Sequence, residues 1–127
     1  LAAHPTPGIW QGAFIERMDR AYAAADLVVS RSGAGTVSEL CLVAKPVLFV
    51  PSPNVAEDHQ TKNARALEQH GAAAIVTDAA CRTEAMPRAL ELLADGQALR
   101  RMSENLEKLA RPRAAEEIVD EIIQLLA

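Results

Sequence analysis

The stretch Ser30-Arg31-Ser32-Gly33-Ala34-Gly35-Thr36-Val37-Ser38-Glu39 decides the fold of this chain. It follows an apolar run at residues 27–29 and leads into a segment of helical character, so the order is strand, small-residue loop, helix. The first amides of a helix lack partners within the helix, and small residues allow an anion to approach them closely. A carboxylate one turn further on, Glu39, could accept hydrogen bonds from ribose hydroxyls. The stretch therefore predicts a site for a nucleotide-linked diphosphate.

Apolar runs and helical stretches alternate along the whole chain. Strands are predicted at residues 9–13, 27–30, 47–50 and 73–76, and helices at 14–25, 37–44, 58–70, 82–95, 97–110 and 113–126. Alternation of this kind predicts parallel βαβ units, and strands without polar alternation are expected where helices cover both faces. The predicted fold class is α/β, a Rossmann-like parallel sheet with flanking helices. The loops after the second and third strands would lie at the carboxyl edge of the sheet, where such folds bind ligands.

Composition narrows the class of function. The 127 residues are 50% hydrophobic and 24% charged, which fits one small globular domain. A net charge of −4 and a low aromatic content argue against a nucleic-acid partner. The two cysteines, Cys41 and Cys81, are interpreted as unpaired thiols. With no apolar run long enough for a membrane span and no visible signal peptide, these features indicate a cytoplasmic location.

Further motifs accompany the Gly-rich loop in a fixed order. They are Phe14-Ile15-Glu16-Arg17-Met18, Lys45-Pro46-Val47-Leu48-Phe49-Val50-Pro51 and Glu57-Asp58-His59-Gln60-Thr61-Lys62-Asn63-Ala64. Together with the loop they resemble the C-terminal half of the MurG family, UDP-N-acetylglucosamine transferases that act on lipid-linked muramoyl-pentapeptide. The resemblance implies a GT-B architecture, in which two Rossmann-like domains face each other across a cleft. Residues 1–127 would then be a single, partial UDP-sugar-binding C-terminal domain.

The resemblance also implies which residues bind the donor. The Gly-rich loop would cradle UDP, with Glu39 on the ribose hydroxyls. The backbone near Ile15 would read uracil, flanked by Phe14 and Met18. Polar side chains after residue 58 would contact the sugar, whose hydroxyls both donate and accept. The implied substrate-binding residues are Ile15, Ser32, Gly33, Ala34, Gly35, Thr36, Val37, Ser38, Glu39, His59, Gln60 and Asn63.

Simpler structural interpretations stay open for several of these residues. Thr36 and Glu39 could form a capping box that satisfies helix-end amides without a ligand. Phe14 and Met18 could be ordinary core residues on one face of a helix. Arg31 could pair with a phosphate group or make an internal salt bridge.

The family resemblance implies the donor-binding part of an inverting N-acetylglucosaminyltransferase that converts lipid I to lipid II. The acceptor site and general base would lie in an N-terminal domain absent from these residues. We therefore expect no catalytic residue here and no activity from this fragment alone. Neither a cofactor nor a metal is implied, since no Asp-x-Asp motif is visible. The partners would be UDP-N-acetylglucosamine and the lipid-linked acceptor, and the whole protein would lie on the cytoplasmic face of the plasma membrane.

Two other functions remain possible from the sequence. One is the donor domain or subunit of another GT-B glycosyltransferase, and the other is a non-catalytic nucleotide-binding domain. The last predicted helix also carries an apolar stripe, which the family packs toward the N-terminal domain. A lone fragment could self-associate through it. The stripe consists of Ile118, Val119, Ile122, Ile123 and Leu126.

Overall fold

The computed structural model describes residues 7–53, 59–110, 120 and 122–125. In this part of the chain strands and helices alternate. The strands are β1 (Val28–Ser30), β2 (Val47–Phe49) and β3 (Ala74–Ile75); the helices are α1 (Met18–Ala24), α2 (Ala34–Val43), α3 (His59–Gln69), α4 (Cys81–Ala94) and α5 (Gly96–Leu109). The strands form a parallel sheet in the order β1-β2-β3. The predicted parallel sheet with flanking helices is confirmed.

The segment before β1 differs from its prediction. Residues 9–13 form no strand, and the helix predicted from residue 14 begins only at Met18. Ile9 and Trp10 are both exposed, at 58% and 68%. A strand needs a neighbour to take its backbone hydrogen bonds, and an apolar run without such a neighbour or a core to cover it gains nothing from extension.

The expectation that helices cover both faces of every strand holds for β2 but not for β1. All three residues of β2 are buried, as a central parallel strand requires. Val29 of β1, in contrast, is 52% exposed. β1 lies at one end of the described sheet, so it has fewer neighbours to cover its apolar side chains than β2 has.

Side chains of β2 alternate between two apolar clusters because successive strand residues point to opposite faces. Val47 and Phe49 pack with buried residues of α2 and α3, such as Leu40 and Leu67. Leu48 packs on the other face with residues of α4 and α5. The central strand thus carries a core on each side, and both cores support the carboxyl edge of the sheet.

The C-terminal end of α3 follows the signal in the sequence. α3 ends at Gln69, and Gly71 follows with a φ of +68°, a left-handed conformation that glycine adopts without strain. The amide of Ala72 donates to the Leu67 carbonyl at 3.0 Å, which closes the helix end. None of the helices in the described residues is long and apolar enough to cross a membrane.

The last predicted helix is only partly within the described residues. Residues 120 and 122–125 are helical, as predicted. Ile122 is buried in the core cluster around Phe49, whereas Ile123 is 57% exposed. The other stripe residues, Ile118, Val119 and Leu126, lie outside the described residues. One of the two described stripe positions therefore serves this domain's own core.

Candidate functional site

The Gly-rich loop forms an open backbone cradle at the start of α2. This helix begins at Ala34, three residues earlier than predicted, after Gly33 in an extended conformation. The first helical hydrogen bond runs from the Val37 amide to the Gly33 carbonyl at 3.0 Å. The amides of residues 34–36 precede that bond and so have no acceptor within the helix. A Cβ added at Gly33 or Gly35 would meet no described atom within 4 Å, so there is open space beside both glycines.

The capping-box interpretation of Thr36 and Glu39 is wrong. Thr36 is the third residue of α2, and Gly33 holds the N-cap position. Ala34 and Gly35 are already helical, directly after the extended Gly33. Glu39 is consequently not engaged as the N3 residue of a capping box.

Glu39 instead receives a hydrogen bond from another helix. The Tyr22 hydroxyl, on α1, donates to Glu39 Oε2 at 2.9 Å. Tyr22 packs against the core cluster around Phe49, while Glu39 stays exposed. Sequence reasoning missed Tyr22 as a site residue, because 17 residues separate the pair and no local pattern marks it.

Three of the predicted substrate residues are joined by hydrogen bonds into what we call the Ser32 clamp, formed by Ser32, Gln60 and Asn63. The fully buried Ser32 donates its hydroxyl to the Gln60 carbonyl at 2.7 Å. Its own carbonyl accepts from Asn63 Nδ2 at 2.9 Å. Gln60 Oε1 accepts the backbone amides of Ser32 at 3.3 Å and Ser52 at 2.8 Å. The Ser32 clamp therefore connects the loops after β1 and β2.

These bonds limit how the clamp side chains can meet a ligand. Gln60 Oε1 already accepts hydrogen bonds from two backbone amides. These bonds do not use Nε2, the other polar atom of its side chain. Asn63 is only 2% exposed, and its Oδ1 has no hydrogen-bond partner in the described part of the chain. His59, the first residue of α3, is half-buried beside them. The predicted sugar contacts of His59, Gln60 and Asn63 stay predictions, to which the structure adds a supporting role for two of them.

Arg31 is engaged within the protein, in agreement with the internal salt bridge considered for it. Its Nη1 donates to Asp78 Oδ1 at 2.6 Å and to the Val50 carbonyl at 3.1 Å. Both charged side chains are partly exposed, so the ion pair itself contributes about 0–1 kcal/mol. Its main effect is to join the ends of β1, β2 and β3 at the carboxyl edge.

The predicted uracil edge lies in the segment before α1. Phe14 is 77% exposed and Met18 is 44% exposed, so the interpretation of these two as core residues is wrong. Ile15 is half-buried. The described segment offers apolar side chains and backbone without a core function, and its contact with a base stays a prediction.

Burial sets the protonation behaviour of two groups near α2. Burial raises the pKa of the Tyr22 phenol, and the hydrogen bond and negative charge of Glu39 raise it further. Tyr22 therefore remains a hydrogen-bond donor at neutral pH. Burial also raises the pKa of the Cys41 thiol, which makes this free cysteine a poor nucleophile.

Two cavities of the described structure lie away from the cradle. Cavities of about 370 and 360 Å³ lie elsewhere in the described structure, one beside Gly71 and Ala73 and the other beside Ala44 and Pro46. These residues precede β3 and β2, so both cavities lie toward the amino ends of the strands, away from the cradle.

Comparisons with known proteins agree with this arrangement. Residues 6–118 match the family model described as the glycosyltransferase family 28 C-terminal domain. A Parabacteroides distasonis protein is 50% identical over 126 residues, which cover 99% of this chain and 34% of that protein. A Christiangramia forsetii protein is 53% identical over 89% of this chain and 31% of that protein. Both relatives are named UDP-N-acetylglucosamine--N-acetylmuramyl-(pentapeptide) pyrophosphoryl-undecaprenol N-acetylglucosamine transferase.

A solved structure is also similar to this chain. The crystal structure of Acinetobacter baumannii MurG is similar with a TM-score of 0.70 and 37% sequence identity, over 87% of this chain and 32% of that one. The chain spans about a third of the length of the curated relatives it matches. Its parallel sheet with flanking helices is consistent with one Rossmann-like domain of a GT-B glycosyltransferase. The chain belongs to glycosyltransferase family 28, and it corresponds to that family's C-terminal domain.

Proposed function

We propose that residues 1–127 are the donor-binding part, a single partial domain, of an inverting N-acetylglucosaminyltransferase that converts lipid I to lipid II in peptidoglycan synthesis. The observation that carries the proposal is the open cradle of the residue 34–36 amides, with Glu39 about one turn beyond, at the carboxyl edge of a parallel sheet. The relatives named for this transfer align with almost the whole chain and support the choice of donor.

The cradle would act mainly on the leaving group. When the bond between N-acetylglucosamine and the diphosphate breaks, negative charge develops on UDP. Amides already aimed at that position, with the dipole of α2 behind them, stabilise this charge more than the ground state. The Ser32 clamp holds the loop in place before the donor arrives, so little reorganisation is needed during the reaction.

In this proposal, different residues contact the ribose, the uracil and the sugar of the donor. Glu39 accepts the ribose hydroxyls, and the backbone near Ile15 reads uracil between Phe14 and Met18. His59 and the Nε2 group of Gln60 face the sugar. Rejection of other sugars would follow when a wrong hydroxyl leaves these polar groups unpaired.

In this proposal the lipid-linked acceptor and the general base belong to a second domain that these residues do not contain. The 127 residues alone then bind the donor weakly and transfer no sugar. The whole enzyme would work as a peripheral protein on the cytoplasmic face of the plasma membrane. A transferase assay on the isolated chain tests this directly, because measurable turnover would contradict it.

Calorimetric titration with UDP-N-acetylglucosamine tests the donor site. We expect Glu39→Ala to weaken binding at least about tenfold, since it removes a charged acceptor of two hydroxyl groups. Glu104→Ala, which removes an exposed carboxylate from α5, is the matched control and should bind normally. Equal affinities for the two variants would contradict the assignment of Glu39.

A second titration separates a sugar-nucleotide donor site from a plain nucleotide-binding domain. His59→Ala should weaken UDP-N-acetylglucosamine binding and leave UDP binding unchanged, because the side chain contacts only the sugar in our proposal. An equal effect on both ligands, or none on either, would favour the non-catalytic nucleotide-binding alternative.

A further inference from the structure

We propose that Tyr22 is a positioning residue for nucleoside recognition, whose hydroxyl orients the Glu39 carboxylate toward the ribose diol. The inference rests on the proposed function of Glu39 and deepens it, because it names the group that makes this carboxylate selective for ribose. Tyr22 does not touch the ligand in this arrangement.

The geometry favours orientation by Tyr22. The Tyr22 hydroxyl lies 2.9 Å from Glu39 Oε2, and its ring packs on the core cluster around Phe49. Glu39 is exposed on α2, where an unrestrained glutamate samples several rotamers. A hydrogen bond from a ring held by the core selects one of them, and bonds to an ionised acceptor are the stronger kind.

The chemistry of the carboxylate leaves room for the ligand. An ionised carboxylate has about four lone-pair positions on its two oxygens. Tyr22 occupies one position on Oε2, so Oε1 and a second position on Oε2 remain for two adjacent hydroxyl donors. Because burial and Glu39 both keep the Tyr22 phenol protonated, this donor is present throughout the neutral pH range.

The same hydrogen bond connects two parts of the nucleoside site. α1 carries Met18 at its first position and follows Ile15, and none of its residues is fully buried. The Tyr22–Glu39 bond thus ties the segment proposed for uracil to the helix proposed for ribose and diphosphate. A ligand that fits one part should fit the other in a fixed relative position.

The test compares UDP with 2′-deoxy-UDP on the full 127-residue chain by calorimetry. Tyr22→Phe should weaken UDP binding about 3- to 10-fold, the usual worth of one hydrogen bond, and should change 2′-deoxy-UDP binding less than about 2-fold. A structural defect would weaken both ligands equally. Ser103→Ala is the matched control: its hydroxyl donates to the Ala44 carbonyl at 2.7 Å, at the other end of α2, and its loss should not alter either affinity.

Combining variants separates the role of Tyr22 from that of the donor site itself. If Glu39→Ala loses discrimination between UDP and 2′-deoxy-UDP while Tyr22→Phe keeps it, the role of Tyr22 is overturned and the donor site stands. If the unmodified chain binds no UDP, or Glu39→Ala binds it normally, both are overturned. If the Tyr22→Phe effect disappears in a Glu39→Ala background, the positioning role is supported.

A measurement without ligand checks the contact itself. Tyr22 is the single tyrosine of the chain, so phenolate absorbance reports on it alone. Glu39→Ala should lower the pKa of Tyr22, because it removes an acceptor and a negative charge. An unchanged titration would overturn the inference.

Discussion

The Ser32 clamp and the segment before α1 differ sharply in structure, although both belong to the donor site that we propose. Ser32 and Asn63 are 0% and 2% exposed, and four hydrogen bonds hold the clamp, three at 2.7–2.9 Å and one at 3.3 Å. Trp10 and Phe14 are 68% and 77% exposed, and residues 9–13 have no regular structure. One region is built into the core and the other is presented to solvent.

The difference follows the chemistry of the proposed ligand. A diphosphate is stabilised by fixed dipoles, which must already point at it because their reorientation would cost free energy. A uracil ring needs apolar surface and a few backbone groups, which an exposed segment supplies. Loss of a buried clamp side chain such as Asn63 should therefore act mainly on folding, and mutations in the segment before α1 should act on binding.

Among changes to the clamp, the cradle and the segment before α1, the largest effect on stability is expected from the buried amide of the clamp. Asn63→Ala removes the donor to the Ser32 carbonyl and leaves that buried oxygen unpaired, at a cost of about 1–3 kcal/mol in the free energy of unfolding. Urea denaturation measures it. Gln69→Ala, an exposed change on the same helix, should stay within about 0.5 kcal/mol. Similar values for the two variants would remove the distinction between clamp and surface.

Gly35→Ala separates stability from binding within the cradle. Gly35 is helical and its added Cβ meets no described atom within 4 Å, so alanine should raise stability by about 0.4–1 kcal/mol. If the diphosphate binds at this loop as proposed, the added methyl group should weaken UDP binding about tenfold, because glycine permits close approach to a diphosphate. Gly96→Ala, at the start of α5, should stabilise similarly and leave binding unchanged. An unchanged UDP affinity in Gly35→Ala would place the diphosphate elsewhere.

Alkaline pH should weaken the link between α1 and α2. The folded-state pKa of Tyr22 is raised above the unfolded value of about 10. The stabilisation from this group is therefore complete below about pH 10 and falls as pH rises through the folded-state pKa. Chemical denaturation of the chain and of Tyr22→Phe across this range should show the wild-type advantage shrinking. A constant difference would mean that folding does not raise the pKa of Tyr22.

The smallest effect on folding is expected in the exposed segment. Phe14→Ala should change the free energy of unfolding by less than about 0.5 kcal/mol, because the side chain already contacts solvent. Phe49→Ala, the same change in the fully buried β2, should cost about 3–5 kcal/mol. A loss above 1 kcal/mol for Phe14→Ala would show that this segment packs as the clamp does.

Several features of the fold follow from local patterns. The strands at Val28–Ser30, Val47–Phe49 and Ala74–Ile75 coincide with apolar runs bounded by turn residues, and α3 ends shortly before the glycine that marks its stop. Hydrophobic periodicity and the positions of turn residues predict these features, because each feature depends on neighbours within a few residues. The prediction of a strand at residues 9–13 is wrong because a strand also needs a partner strand for its backbone hydrogen bonds. The local sequence pattern does not show whether such a partner is present.

The sequence by itself determined the order of elements, the family and the small-residue cradle at the start of α2. Only the tertiary structure decided that Glu39 meets Tyr22, that Gln60 and Asn63 hold Ser32, and that Arg31 pairs with Asp78. The reason is distance along the chain: these partners are 17 to 47 residues apart. The sequence patterns that predict helices and strands are local. The hydrogen-bond partners at the sheet edge depend instead on which loops the fold brings together.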